Sequence, residues 1–285
     1  MKKAGYPAFF ISRQLHIGRY RLAATSPLVM GVVNVTPDSF SDGGRFFDKS
    51  SAVSHALRLV EDGADIVDIG GESSRPGALP VSEEEELKRI LPVLEGLKGI
   101  EKPISVDTRR PGVMREALKA GASMINDIDA LTAPGALEAV AASDCAVCLM
   151  HKKGEPATMQ QQPHYDDVVR EVLDFLKNRI DACERAGIAR ERIVIDPGFG
   201  FGKTLEHNLT LLRNLSKFAG LGTPVLAGWS RKSSLGRITG RPAGERLPAS
   251  LAMALLSLQS GATILRVHEV KETRDVIEVW KAYQA

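Results

Sequence analysis

Nine residues, DPGFGFGKT at 196–204, place an acid, three alternating glycines, a lysine and a hydroxyl close together. Gly202-Lys203-Thr204 fits the end of a phosphate-binding loop, G-x-x-x-x-G-K-[ST], whose amides cradle a nucleotide. The first glycine of that pattern would fall on Pro197, which has no N–H to offer. The alternation of Gly198, Gly200 and Gly202 fails the dinucleotide pattern G-x-G-x-x-G as well. That leaves Asp196 as the residue with chemistry to do. Lys203 and Thr204 are expected to begin the next helix, and Lys203→Ala to retain most activity.

Similar polar groups end other apolar runs: Asn34; Glu72 with Ser73 and Ser74; Asp107; Asn126 with Asp127; His151; Ser230; Arg266 with His268. Any one of them suits a helix N-cap, where Asp, Asn and Ser accept from open amides. Converging on one mouth, they suit a small ligand rich in hydrogen-bonding groups. Asp107, Asn126 and Asp196 supply acceptors, and a carboxylate can accept the paired N–H donors of a pterin or guanine edge. Lys232, Arg266 and His268, with Arg75 from a loop, supply positive charge for a phosphate or diphosphate. Asn34 offers a neutral oxygen to Mg²⁺, an ion that keeps several waters.

Positioning such a ring requires repeated strands. Continuous apolar runs recur at 28–35, 64–71, 103–108, 123–128, 145–151, 192–198, 224–230 and 262–268. Such runs suit parallel strands covered on both faces. Between them lie segments of helical spacing, three of which end at Gly63, Gly121 and Gly187, where a C-cap wants glycine. Eight strand–helix units without a composition break predict one α/β domain over 1–285, a (β/α)₈ TIM barrel, whose typical length is about 250 residues. Residues 1–27 are expected to form a short N-terminal β-hairpin extension closing the barrel's N-terminal face. An open doubly wound sheet competes, but no dinucleotide fingerprint follows the first strand. The EEEE run at 83–86 follows Ser82; Ser82 and Glu85 predict a capping box at a solvated helix start. QQQ at 160–162 reads as a polar loop.

Composition narrows the class. Lys and Arg number 37 against 35 Asp and Glu, which leaves no general footprint for nucleic acid or an anionic membrane. The early apolar run AFFI is too short for a signal-peptide core, and LAMALL at 251–256 is too short for a membrane span. A cytoplasmic protein is expected. Cys145 and Cys148 form C-x-x-C inside a strand-like run, where residues three apart face opposite sides. No redox or metal role is expected of them.

VNVTPDSFSDGG (33–44) with DIGGESSRPGA (68–78) resembles the signature pair of the dihydropteroate synthases. VDT (106–108), IND (125–127), DPGFGFGK (196–203), SRK (230–232) and RVHEVKET (266–273) match the family's remaining motifs in order, so the resemblance spans residues 28 to about 280. It implies a barrel enzyme of folate synthesis joining (7,8-dihydropterin-6-yl)methyl diphosphate to 4-aminobenzoate. Carried over by position, it implies Asn34 on Mg²⁺ and diphosphate. Ser74, Asp107, Asn126, Asp196 and Lys232 are implied to hold the pterin. Arg75, Arg266 and His268 would bind the diphosphate, and Phe40, Pro76, Phe201 and Ser230 would line the 4-aminobenzoate site. Asp38, Arg75 and Lys232 are the residues expected to serve the chemistry.

Loops 36–48 and 72–81 are expected to close over the site, so that 4-aminobenzoate binds well only after the diphosphate ligand. The arylamine's carboxylate is expected at the N-terminus of a helix starting near Ser230. Small-molecule substrates and a homodimer, with LAMALLSL as its seam, complete the implied picture, and sulfonamides, which resemble 4-aminobenzoate, are expected to show the same dependence on diphosphate. Departures are mild: Ser74 where Thr is common, Glu269 where Asp is common, and Trp229 at a variable position that could alter the arylamine pocket. A methyltetrahydrofolate-dependent methyltransferase of the same barrel type, or a non-catalytic pterin carrier, would share the acceptor sector. Neither has a use for the diphosphate sector.

Overall fold

The eight apolar runs form a ring of parallel strands. The computed structural model describes residues 14–23, 26–36, 49–73 and 77–284. A hairpin, β1 (Gln14–Ile17) and β2 (Tyr20–Ala23), pairs antiparallel at the start. The barrel strands are β3 (Leu28–Asn34), β4 (Ile66–Gly70), β5 (Ile104–Asp107), β6 (Met124–Asp127), β7 (Ala146–Met150), β8 (Ile193–Asp196), β9 (Leu226–Ala227) and β10 (Ile264–Val267). Their order around the sheet is β8-β7-β6-β5-β4-β3-β10-β9, and a parallel bridge between Ile195 and Val225 closes the ring. The predicted barrel is what forms; the open sheet is excluded.

Helices α1 (Lys49–Glu61), α2 (Glu83–Gly96), α3 (Pro111–Lys119), α4 (Ala136–Ala141), α5 (Val168–Arg185), α6 (Leu205–Arg213), α7 (Leu215–Ala219), α8 (Ser233–Thr239), α9 (Leu247–Gln259) and α10 (Val270–Gln284) lie between and after the strands. Their ends follow ordinary capping chemistry. Asp167 accepts from Val169 and Arg170 at the start of α5, Pro111 opens α3, and Gly187 takes a positive φ of 88° just past α5. Ser82 accepts from Glu85 N–H at 3.1 Å, as expected. Glu85 instead turns to Arg89, at 2.9 Å.

Strand side chains alternate, and the alternation separates two cores. Val29, Val67, Val106, Ile125, Val147, Ile195 and Leu265 belong to the core shared with the helices. Met30, Ile66, Met124, Cys148, Val194, Leu226 and Ile264 fill the barrel interior, together with Leu15 and Ile17 of the hairpin. The hairpin thus plugs the N-terminal end of the barrel, as the sequence predicts. With that end filled, the C-terminal mouth is the one left for a ligand.

Candidate active site

Two residues beyond the apolar interior layer, each strand contributes one more inward position. These are Val32, Asp68, Asp107, Asn126, Met150, Asp196, Gly228 and Arg266. Period-two alternation therefore lays a polar floor on an apolar plug. Arg266 proves the inward direction, because it reaches strands that are not its neighbours. Its Nε donates to Asp68 Oδ2 at 2.7 Å and its Nη2 to Asp107 Oδ2 at 2.8 Å. Asn126 Nδ2 donates to the same Asp68 oxygen at 3.1 Å. One guanidinium thus serves two carboxylates. Burial, against the opposing pull of Arg266, pushes Asp107 up to about 7.

Asp68 escapes a reading that looks only at strand ends. Its signal is a charge inside the otherwise apolar run IVDIG, two residues after the inward Ile66. It is fully buried, and its Oδ1 has no hydrogen-bond partner among the described residues.

Asp196 closes the far side of the floor. Its Oδ1 accepts from Gly198 N–H at 2.7 Å, which turns the chain sharply into the glycine loop. Gly198, Gly200 and Gly202 all take positive φ, at 71°, 84° and 62°. Close approach requires glycine too: a Cβ on Gly198 would lie 1.9 Å from His151 O, and one on Gly202 2.1 Å from Lys153 O. Lys232 leans over this loop. Its Nζ donates to Phe199 O and stands 4.8 Å from the centre of the Phe201 ring. Burial pulls the Lys232 amine down to about 8, although the charge of Asp196 opposes this.

Lys203 does not occupy the post expected of it. Thr204 is the N-cap of α6, accepting from His207 N–H at 3.1 Å, while Lys203 just before it turns inward and is 2% exposed. The expectation that its removal is harmless has no footing in this arrangement.

The third group joins β9 and β10. Ser230 Oγ is 2.8 Å from His268 Nδ1 and donates to Glu269 Oε2 at 3.1 Å. With that hydroxyl proton committed to Glu269, His268 Nδ1 must be the donor to Ser230, which fixes the imidazole's orientation. Ser230, expected at the arylamine site, is thereby placed against His268. Glu269 also pairs with Arg231, whose φ of 58° is a strained value for a side-chain-bearing residue. The helix expected near Ser230 begins at Ser233, with Lys232 at its N-cap. Asn34 ends β3 in register with Gly70, half-buried at the mouth. Asp38, Phe40, Ser74, Arg75 and Pro76 lie outside the described residues, as does most of loop 36–48.

Three readings need correction. Glu86, taken as part of a solvated helix start, is fully buried and binds Arg110, which also holds Glu72 at 2.6 Å. Arg266, assigned from sequence to a separate diphosphate sector, sits among the pterin-sector acids, so the two sectors interlock. QQQ is a polar loop, as expected, and its Gln160 donates to Gly200 O and braces the glycine loop. Trp229 is buried against Phe199, ring centres 4.5 Å apart, and so supports the same loop rather than opening the arylamine side.

The cysteines behave as the alternation predicts: Cys145 faces the helices, Cys148 faces the barrel interior, and burial raises both thiols. Serine at both positions is expected to leave activity indifferent to added reductant. Steady-state assays with and without a thiol reductant check this, and a thiol-dependent rate in the unaltered protein would contradict it.

Between the loops at the mouth lies a cavity of about 210 Å³ bordered by Glu72, Ser73, Asp107, Thr108 and Arg109. It opens the acidic floor to solvent, so a planar ligand on Asp107 would be reachable from outside.

Comparison with known proteins agrees with this geometry. The family model described as pterin binding enzyme matches residues 30–268. The dihydropteroate synthase of Escherichia coli strain K12 is 51% identical over 262 residues, covering 92% of this chain and 93% of that protein. A Yersinia pestis dihydropteroate synthase in a sulfonamide drug complex superposes with a TM-score of 0.91 at 46% identity, over 95% of this chain and 99% of that one. The Xanthomonas albilineans enzyme in complex with 7,8-dihydropteroate gives a TM-score of 0.85 at 48% identity, over 96% of this chain and 99% of that one. With the barrel, its polar floor and the ordered motifs in place, the chain belongs to the dihydropteroate synthase family of pterin-binding enzymes.

Proposed function

We infer that the barrel mouth joins (7,8-dihydropterin-6-yl)methyl diphosphate to 4-aminobenzoate, releasing diphosphate and forming 7,8-dihydropteroate. The observation that carries this reading is the floor itself, where Asp68, Asp107, Asn126 and Asp196 face Arg266 and Lys232 above an apolar plug. A flat heterocycle with adjacent N–H donors and a ring carbonyl meets acceptors and cations there at once. Asp107, Asn126 and Asp196 hold the aminopyrimidinone edge, and Lys232, with Ser74, completes the pterin site. The raised Asp107 and Asp196 carboxyls suit this role, because N–H donors favour their ionised forms on binding.

The chemistry is a displacement at the methylene carbon. The C–O bond breaks with its electron pair leaving on diphosphate, and the electron-rich dihydropterin ring spreads the positive charge left behind. Arg266, His268 and Arg75 meet the departing anion as its charge develops. The amine lone pair of 4-aminobenzoate then forms the C–N bond and the amine gives up a proton. A neutral arylamine needs position and dryness more than a strong base. Phe201, Ser230, Phe40 and Pro76 are proposed to line its site, with Asp38, Arg75 and Lys232 serving the bond exchange.

Mg²⁺ fits this donor set. Among the described residues no group of three His, Cys, Asp or Glu side chains could hold a metal alone. Asn34 supplies one neutral oxygen, which suits an ion bound chiefly through substrate phosphate oxygens and water. When bound, the ion would supply charge neutralisation to the diphosphate.

Support for a homodimer comes from α9, whose Leu256 is exposed, and from α10 packed beside it, where Val279 and Tyr283 are exposed. No helix among the described residues is long and apolar enough to cross a membrane, in keeping with the cytoplasmic placement proposed here.

Diphosphate release tests the reading. It is expected only when both substrates and Mg²⁺ are present, and calorimetry is expected to show 4-aminobenzoate binding about 5- to 150-fold more tightly once pterin, diphosphate and Mg²⁺ are bound, the usual span of coupling between sites. Pterin binding without diphosphate release would mark a carrier instead, and methyl transfer would mark a methyltransferase.

A further inference from the structure

The glycine loop after Asp196 is held in an unusual way. Five consecutive carbonyls, from Gly198 to Gly202, each accept from a side chain. Lys203 Nζ takes Gly198 O at 2.9 Å and Phe201 O at 3.0 Å. Lys232 takes Phe199 O, Gln160 takes Gly200 O, and Tyr165 Oη takes Gly202 O at 2.9 Å. A loop with three positive-φ residues has no ladder to satisfy its backbone, and these donors replace one.

Lys203 is the centre of the set. Besides the two loop carbonyls, its Nζ lies 3.2 Å from His151 O and 3.0 Å from His151 Nδ1. Every partner is an acceptor provided the imidazole carries its proton on Nε2, and burial beside Lys203 drives His151 down to about 2, which keeps it neutral. The lysine therefore fastens the loop to the end of β7, with no carboxylate of the described residues in contact. Burial of a lysine is costly, and it depresses the Lys203 amine well below its ordinary value. A lysine buried at that cost calls for a function, and the neighbouring carbonyl supplies one. Phe199 O, between the two carbonyls that Lys203 grips, is the acceptor that holds Lys232.

We propose that Lys203 is a positioning residue for the reaction, a buried donor that sets the glycine loop so that Phe199 O aims the Lys232 ammonium at the pterin site. This rests on the reading that Lys232 serves substrate binding. Lys203 itself touches no substrate; it acts through one carbonyl. The groups around Lys232 that share its field are Asp196, Asp107 and Arg266.

A double-mutant cycle on kcat/KM tests the proposal, with Lys203→Met, Lys232→Met and the double variant assayed well below each protein's Tm. Lys203→Met is expected to lower kcat/KM about a hundredfold, the scale of an ångström-level misplacement. In the Lys232→Met background the same change is expected to cost less than about threefold, because the group it positions is gone. Additive losses would overturn the inference and make Lys203 a purely structural residue. An unchanged rate in Lys232→Met alone would instead overturn the reading on which it rests. Should Lys203→Met fail to fold, His151→Leu removes one acceptor of the cage and leaves the lysine in place. It is expected to lower kcat/KM several-fold in the Lys232 background and negligibly in the Lys232→Met background, and equal losses in both would overturn the inference equally.

Discussion

Asp196→Asn is expected to cut kcat/KM about a thousandfold while leaving Tm within a few degrees. The substitution is isosteric, and the amide oxygen can still accept from Gly198 N–H, now at 2.7 Å from Asp196 Oδ1, so the turn into the glycine loop survives. What changes is the second atom. A carboxylate oxygen that accepts from the ligand becomes an NH₂ group facing the N–H donors of a pterin edge. Hydrogen bonds to charged groups contribute about 1.5–3 kcal/mol each, and two of them lost from the bound state correspond to roughly a hundred- to ten-thousandfold. Lys232 also loses the neighbouring charge that opposes the downward shift of its amine, so the alkaline limb of the pH profile should move to lower pH. Steady-state kinetics between pH 6 and 9, with thermal unfolding in parallel, measure both effects. Near-normal kcat/KM in the variant would remove Asp196 from the site.

Asp196 was visible in the sequence because it ends an apolar run and is followed by glycines that only a close approach requires. The same logic reached Asp107, Asn126 and Arg266, and the eight runs were enough to specify the barrel and its hairpin plug. Residues whose roles depend on packing across the ring were not legible. Asp68 sits mid-strand, and its meaning emerges only when alternation is phased from Ile66 and the strand is curled toward β10. Glu86 looked like one of four equivalent helix-start acids, yet the turn of α2 points it inward at Arg110, 24 residues away in sequence. Lys203 fits a helix start in every local respect; only the fold of the loop over His151 and Lys153 reveals where its ammonium goes. Periodicity reports which face a residue occupies, but it carries no information about partners on strands two or three places around a barrel.

Those cross-barrel partners make Arg266→Met the second large effect. The substitution keeps much of the side chain's length and removes the charge that two carboxylates share. Asp68, fully buried, would then face Asp107 with Asn126 as its one donor among the described residues. Breaking a buried ion pair from one side costs about 3–5 kcal/mol, because the remaining charge is left without compensation. For a chain of this size that is a fall in Tm of roughly 10 °C. Activity should be lost with it, since the acids proposed to hold the pterin edge would be displaced or protonated. The pH dependence separates this cause from a simple packing defect. Without Arg266, whose charge opposes the rise, burial lifts the Asp107 carboxyl further, so the folded variant binds a proton that the unfolded chain, with carboxyls at about 4, releases. Stability that comes from a raised carboxyl pKa is present at low pH and lost as pH rises through the folded value. In the unaltered protein Asp107 is already pushed up to about 7 by burial. The gap in Tm between variant and unaltered protein should therefore be widest at pH 8 and narrow toward pH 5. Pairing the change with Asp68→Asn, which removes the orphaned charge, should recover part of the lost stability without restoring activity. A gap in Tm that stays constant from pH 5 to 8 would mean that Arg266 supports the barrel through packing alone, and that the shared-charge account of the floor is wrong.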